Sequence, residues 1–210
     1  MLGPGGRRPQ SGPVNFDPQP LVLAGRHVRL EPMERRHLAG LLEAARDPAV
    51  FQFFLTPPLG VEAEMVKWME SILRGQAAGT DVGWVTVRQG DGRVVGATTY
   101  LDIRRGTRGL EIGNTWLAPE AQRTVLNTEA KYLLLRHAFE VLGAVRVQLK
   151  TDERNARSRA AIERIGARFE GILRKYQTRH DGFVRNTAMF SIVAEEWPAV
   201  KAGLEARLAR

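Results

Sequence analysis

Between Leu21 and the C-terminus, apolar and polar positions fall into blocks whose period switches between two and about three and a half. Val28 and Leu30 alternate with His27 and Arg29, which predicts a short strand within Leu21–Leu30. Pro32 leads into a predicted helix over Glu34–Arg46. Leu38, Leu41, Leu42 and Ala45 make its apolar stripe, and His37 falls on the opposite, solvated side. Phe51, Phe53 and Phe54 lie between Pro48 and Pro57-Pro58, either as core or as the lining of a pocket. A second helix over Val61–Gln76 puts Met65, Met69 and Ile72 on one face near Trp68.

The period then shortens. Trp84, Val85 and Val87 run into the turn Gln89-Gly90-Asp91-Gly92, and Val94, Val95 and Ala97 leave it, which predicts a hairpin. A further strand, Ala97–Ile103, ends in the basic loop Arg104–Arg108. Leu110–Ala118 is β-prone, is closed by Pro119 and is expected to pair antiparallel with the strand before it. Eight or nine polar or small residues follow before Thr128 opens a helix that runs to Leu142 and stops at Gly143. Val145, Val147 and Leu149 alternate with Arg146, Gln148 and Lys150 in a half-buried strand, and Thr151–Ala156 reads as a polar loop. A short helix over Ala156–Ile165 turns Ile162 and Ile165 inward and ends at Gly166. Strands Arg168–Tyr176 and Asn186–Val193, joined by His180-Asp181-Gly182, precede a terminal helix over Glu195–Arg210. Strands come first as a meander and later in βαβ units, so the class is α/β (mixed α+β), one mixed sheet flanked by helices.

Met1–Pro20, rich in Gly, Pro, Ser and Gln, is expected to be a disordered or loosely attached tail, with a single domain over 21–210. Arginine dominates a formal charge of +8, which suits anionic partners and equally follows from arginine-rich coding, so charge alone decides nothing. The chain has no cysteine, which removes disulfides, thiolate metal sites and a cysteine nucleophile, and a cytoplasmic location is expected. No apolar run approaches the roughly 20 residues of a membrane span, so no membrane partner is expected. Aromatic-interleaved basic motifs are missing too, which argues against a nucleic-acid partner.

The stretch Gly109–Leu142 is the first candidate for chemistry. A loop that enters a helix N-terminus presents unpaired N–H groups and the positive end of the dipole, a setting suited to phosphate. Four segments in order then resemble the GNAT N-acetyltransferases, most closely the RimJ/RimL-type branch: GRHVRLEPMERRHLAGL, GLEIGNTWLAPE, QRTVLNTEAKYLL and TDERNARSRAAIERIGARFEG. The resemblance covers about Leu21–Trp197. It implies a mostly antiparallel mixed sheet splayed between its fourth and fifth strands, with acetyl-CoA as cosubstrate and no metal.

By this resemblance, Gln122, Arg123, Thr124, Val125, Leu126, Asn127 and Thr128 hold the CoA pyrophosphate, with Arg123 and arginines near Arg157 meeting its phosphates. Val125 stands where the family places its first glycine, and Asn127 replaces the second small residue. Asn155 is implied as a pantetheine ligand and Ser158 as a group near the sulfur. Both residues also suit a helix cap. Ser158 or Tyr176 is a candidate to return a proton to the CoA thiolate. Glu111 is the candidate base, with an ion pair to Arg104, Arg105 or Arg108 as the plain alternative. A backbone N–H near Trp116 or Leu117 is implied to polarise the thioester carbonyl. Trp116, Trp84 and Phe53 are candidates for the acceptor cleft or for core, and His137 reads as structural. The function implied is acetyl transfer to a primary amine: a protein N-terminus, a polyamine or another small amine. The alternative is an acyl-CoA-binding or regulatory module with little turnover. Dimers are common in the family, so a homodimer stays open.

Overall fold

The computed structural model describes residues 16–210. Of the tail expected over 1–20, residues 1–15 lie outside the described residues. Phe16 is only 4% exposed and packs into the larger core, so at this position the chain is held by the domain rather than loose.

Among the described residues eight strands form one sheet in the order β1-β2-β3-β4-β5-β6-β8-β7. They are β1 (Leu23–Ala24), β2 (Val28–Pro32), β3 (Val82–Arg88), β4 (Val94–Arg104), β5 (Gly109–Leu117), β6 (Arg146–Asp152), β7 (Arg168–Thr178) and β8 (Val184–Val193). All neighbours pair antiparallel except β5 and β6, which are parallel. The described residues also form five α-helices: α1 (Leu38–Ala44), α2 (Glu62–Ala77), α3 (Val125–Arg136), α4 (Ala156–Arg164) and α5 (Trp197–Leu208). A π turn over His137–Val141 extends α3, and Gly143, in the left-handed region, ends it.

The alternation along each strand divides the interior into two cores. On β3, Val82 and Trp84 join the larger core with α3 and α5, while Val85 and Val87 join the smaller one under α1 and α2. On β5, Leu110 and Ile112 face the larger core, yet Trp116, at the same parity, faces the smaller. The reason is a β-bulge. Gly113 pairs with Thr99 and Trp116 with Ala97, so Asn114 and Thr115 together oppose Thr98, and Asn114 takes a positive φ of 48°. The inserted residue reverses which face the following side chains occupy.

Several boundaries differ from the pattern of the sequence. The second arm of the hairpin and the strand expected over Ala97–Ile103 are one eleven-residue strand, β4. Thr151 and Asp152 continue β6, because both pair with β8. The first helix opens as a 3₁₀ turn over Arg35–His37. His37 is buried, not solvated: its Nδ1 accepts the Glu34 N–H at 3.1 Å, and Nε2 lies 3.1 Å from Glu31 Oε2. Helix α3 starts at Val125 rather than Thr128, since the Thr124 hydroxyl caps it by accepting the Leu126 N–H at 3.3 Å.

Candidate active site

Strands β5 and β6 pair only over Gly109–Glu111 and Arg146–Gln148. Beyond those residues they part, and the backbone edge of β5 that faces β6 is left to a cleft. The cleft has a volume of about 580 Å³ and is walled by β5, β6, the N-terminal half of α3, the length of α4, and the Phe53–Leu55 loop. The fold therefore opens this gap where one sheet changes from antiparallel to parallel pairing.

Nine of the predicted site residues line this cleft: Glu111, Trp116, Leu117, Gln122, Arg123, Thr124, Asn127, Asn155 and Ser158. Val125, Leu126 and Thr128 do not. Leu126 is buried in the larger core, because α3 has already begun and turns that side chain toward the sheet. Gln122 ties the loop together: its Nε2 donates to Leu117 O at 2.9 Å, and its Oε1 accepts from Arg157 Nη1 at 2.8 Å. That second bond spans the gap from the α3 loop to the first turn of α4. Asn155 caps α4, its Oδ1 accepting the Ser158 N–H at 3.0 Å.

Backbone conformation accounts for the missing glycines of the α3 loop. Among residues 122–128, only Arg123 has a positive φ, 59°. Val125 is the first helical residue and Asn127 lies within the helix, so neither stands where a glycine backbone is required. The Thr124 hydroxyl takes the Leu126 N–H, and a valine at 125 does not stop the other first-turn N–H groups from being presented.

Glu111 is 2% exposed. Its Oε2 accepts from Lys150 Nζ at 2.9 Å and from Gln148 Nε2 at 3.0 Å. The expected arginine partners are elsewhere: Arg104 donates to Gln148 Oε1, and Arg105 pairs with Asp17. Parallel register sets Glu111 opposite Gln148, and β6 brings Lys150 to the same face two residues on. Arg185, buried on the same side, donates to Phe53 O and Gln177 Oε1, both at 2.9 Å, and burial holds its pKa below the ordinary value.

Phe53 lines the cleft, and Phe51 is core, edge-on to Trp116 at 5.4 Å between ring centroids. Trp84 is core only; it packs against Tyr100 at 4.8 Å and its Nε1 donates to Leu21 O. Tyr176 is half exposed on the edge strand β7, outside the cleft lining, with Lys150 Nζ 5.8 Å from its ring centroid. His137 is buried in the π turn, where burial lowers its pKa. Lys131 is a lining residue that the sequence pattern does not single out. It lies on the cleft face of α3, four residues beyond Asn127 and seven beyond Thr124, the spacing of one helical face.

Among the described residues no group of three His, Asp or Glu side chains gathers as metal ligands, and no helix is long and apolar enough to cross a membrane. The profile of the acetyltransferase (GNAT) domain matches residues 27–168, two-thirds of the chain. The chain belongs to the GNAT acetyltransferase family. A GCN5-related N-acetyltransferase from Brucella melitensis is 30% identical over 90% of this chain and 86% of its own, with a TM-score of 0.84. A T. thermophilus protein assigned to the acetyltransferases is 41% identical over 91% of this chain and 97% of its own, with a TM-score of 0.81. RimJ of Mycobacterium smegmatis, solved in complex with CoA-disulfide, is 25% identical over 89% of this chain and 91% of its own, with a TM-score of 0.73. No curated protein matches the sequence. This GNAT chain is therefore an acyl-CoA N-acyltransferase, with the family's mostly antiparallel sheet open at its single parallel pair.

Proposed function

We propose that this GNAT protein transfers an acetyl group from acetyl-CoA to a primary amine by direct attack in a ternary complex. One observation carries the reading. Across the β5–β6 gap, the N-termini of α3 and α4 meet at the Gln122–Arg157 hydrogen bond and face one cleft. Two helix N-termini, with Arg123 and Arg157 beside them, form a setting for the CoA pyrophosphate. From there the pantetheine arm follows the free edge of β5, with Asn155 as its hydrogen-bond partner. A β5 backbone N–H near Trp116 or Leu117 polarises the thioester carbonyl. Glu111 takes the proton of the incoming ammonium through water, and Ser158 returns one to the departing thiolate.

The acceptor in this reading is a protein N-terminus, a polyamine or another small amine. The likeness to M. smegmatis RimJ supports a RimJ/RimL-type assignment. A cytoplasmic enzyme, alone or as a homodimer, fits the same reading.

A second reading is a CoA-binding module with little turnover. The specific observation in its favour is that Glu111 Oε2 is already engaged by Lys150 and Gln148. Rate and affinity, measured separately, distinguish the two.

Two substitutions test the cofactor side. Asn155→Ala removes a helix cap, a loss of about 1 kcal/mol in stability, and should weaken acetyl-CoA binding by roughly tenfold, as loss of one well-placed hydrogen bond does. A melting curve and a calorimetric titration read the two effects; an unchanged affinity would remove Asn155 from the site. Val125→Gly, which restores the family's glycine, should give no gain in affinity and should destabilise the first turn of α3 by up to about 1 kcal/mol. Tighter binding in that variant would show that the valine had been an obstruction.

A further inference from the structure

Lys131 has surroundings that its role in packing does not explain. It is 6% exposed, yet it lines the cleft, and its Nζ has one partner, Thr115 Oγ1, at 2.6 Å. Thr115 is the second residue of the β5 bulge, and its hydroxyl also lies 2.9 Å from Thr98 Oγ1. No carboxylate forms an ion pair with Lys131 among the described residues. Glu129, on the same helix, accepts the backbone N–H groups of Arg26, His27 and Val28. On β2, which packs against α3, Arg29 pairs with Glu31. From α5, Glu205 accepts the Tyr132 hydroxyl, and Lys201 pairs with Glu140. Across the cleft Glu111 holds Lys150, and Arg157 is bound to Gln122.

An ammonium ion buried without a counterion gives up its proton easily. Burial brings the Lys131 pKa down to about 7, so near neutral pH much of the side chain is a free, nucleophilic amine. Its position bears on which face of a ligand it meets. Thr115 and Lys131 lie on the side of the sheet covered by α3. Gln148 and Lys150, which hold Glu111, project from the opposite face to Val147 and Leu149 of the larger core. A planar thioester in the gap has two faces. Glu111 and Lys131 approach the gap from opposite faces of the sheet.

We propose that Lys131 is an internal acetyl acceptor, modified on Nζ by the acetyl-CoA bound in the same cleft. The proposal rests on the acetyl-CoA reading of that cleft. In the step, the Nζ lone pair attacks the thioester carbonyl carbon. An N–C bond forms, the C–S bond breaks, and CoA leaves as a thiolate that takes up the proton lost from Nζ. The products are Nζ-acetyl-Lys131 and free CoA. The amide N–H can still donate to Thr115, while the acetyl group occupies cleft volume that the cofactor needs. The modified protein should therefore bind CoA at least tenfold more weakly than the unmodified one.

The test uses the full chain incubated with acetyl-CoA and no acceptor, read by intact mass and by peptide mapping. A melting curve with acetyl-CoA is run alongside. The expected result is one acetyl group on the peptide containing Lys131, at a rate that rises through pH 7 and levels off above pH 8. Lys131→Arg and Lys131→Met should show no label on that peptide and should keep the acetyl-CoA melting shift. An unmodified Lys131 in a protein that acetyl-CoA stabilises overturns the proposal and leaves the cofactor reading standing. Label spread over exposed lysines such as Lys67, still rising at pH 10 and equal in both variants, also overturns it. Absence of any melting shift in Lys131→Met, which cannot be modified at this position, overturns the cofactor reading and this proposal with it.

Discussion

Glu111→Gln is expected to lower the rate of acetyl transfer by about 10²–10⁴-fold, the range that loss of a positioned general base produces. The substitution keeps the shape of the side chain and its hydrogen bond to Gln148. It removes the charge that can accept a proton and that holds Lys150 at 2.9 Å. Because Glu111 is on the face away from α3 and outside the Gln122–Thr128 loop, acetyl-CoA affinity should change by no more than about threefold, the pattern of an interaction made in the transition state only. Steady-state kinetics with a panel of amine acceptors, paired with calorimetry, gives both numbers. A variant that binds acetyl-CoA as before and turns over at the wild-type rate would show Glu111 to be an ion-pair residue alone.

The largest stability effect should come from Glu129→Ala. This carboxylate is buried on α3 and accepts three backbone N–H groups, from Arg26, His27 and Val28, at 2.8, 2.6 and 2.7 Å. It therefore fastens the turn before β2 to α3, the helix that follows the proposed cofactor loop. Alanine leaves these donors without the acceptor; the Val28 N–H is buried and the other two are part-buried, and since a buried donor left unpaired costs roughly 1–3 kcal/mol, a loss of about 2–3 kcal/mol is expected. For a domain of this length that corresponds to a fall in Tm of roughly 4–12 °C. Gly25 provides an independent check, because a Cβ there would collide with the Glu129 carboxyl group. Gly25→Ala should therefore weaken the same clamp without touching the acid. If both variants melt with the wild type, the clamp contributes nothing to stability.

The parts of the site legible in the sequence are those carried by local chemistry. Asn155 is a cap, and a cap is visible from the polar residue that precedes an apolar stripe. The loop before α3 is visible as polar residues between a strand and a helix, but its end is not. Thr124 and Thr128 can both cap, and β-branched Val125 looks like loop, so nothing local separates the two starts. The bulge at Asn114–Thr115 leaves no mark in composition, although it decides that Trp116 faces the smaller core and that Thr115 meets Lys131. Glu111 is visible as a candidate, yet sequence proximity points to the arginines of the neighbouring loop as its partner. Lys150 reaches it through the parallel register of two strands separated by a whole helix. His37 departs from its pattern for a related reason. A regular helix places it outward, whereas the 3₁₀ turn that opens this one folds it back onto Glu31 and Glu34. In each case the hidden feature is set by register or by a local departure from regular geometry.

The central claim is that the gap between β5 and β6 receives acetyl-CoA through the N-termini of α3 and α4. Its most direct test is the melting temperature of the protein titrated with acetyl-CoA. At a hundredfold excess over Kd, a ligand bound only by the folded state adds about 2.7 kcal/mol, which for a chain of this size raises Tm by roughly 5–11 °C. Such a rise is expected, reduced in Asn155→Ala and retained in Glu111→Gln. An unchanged Tm at millimolar acetyl-CoA would contradict it.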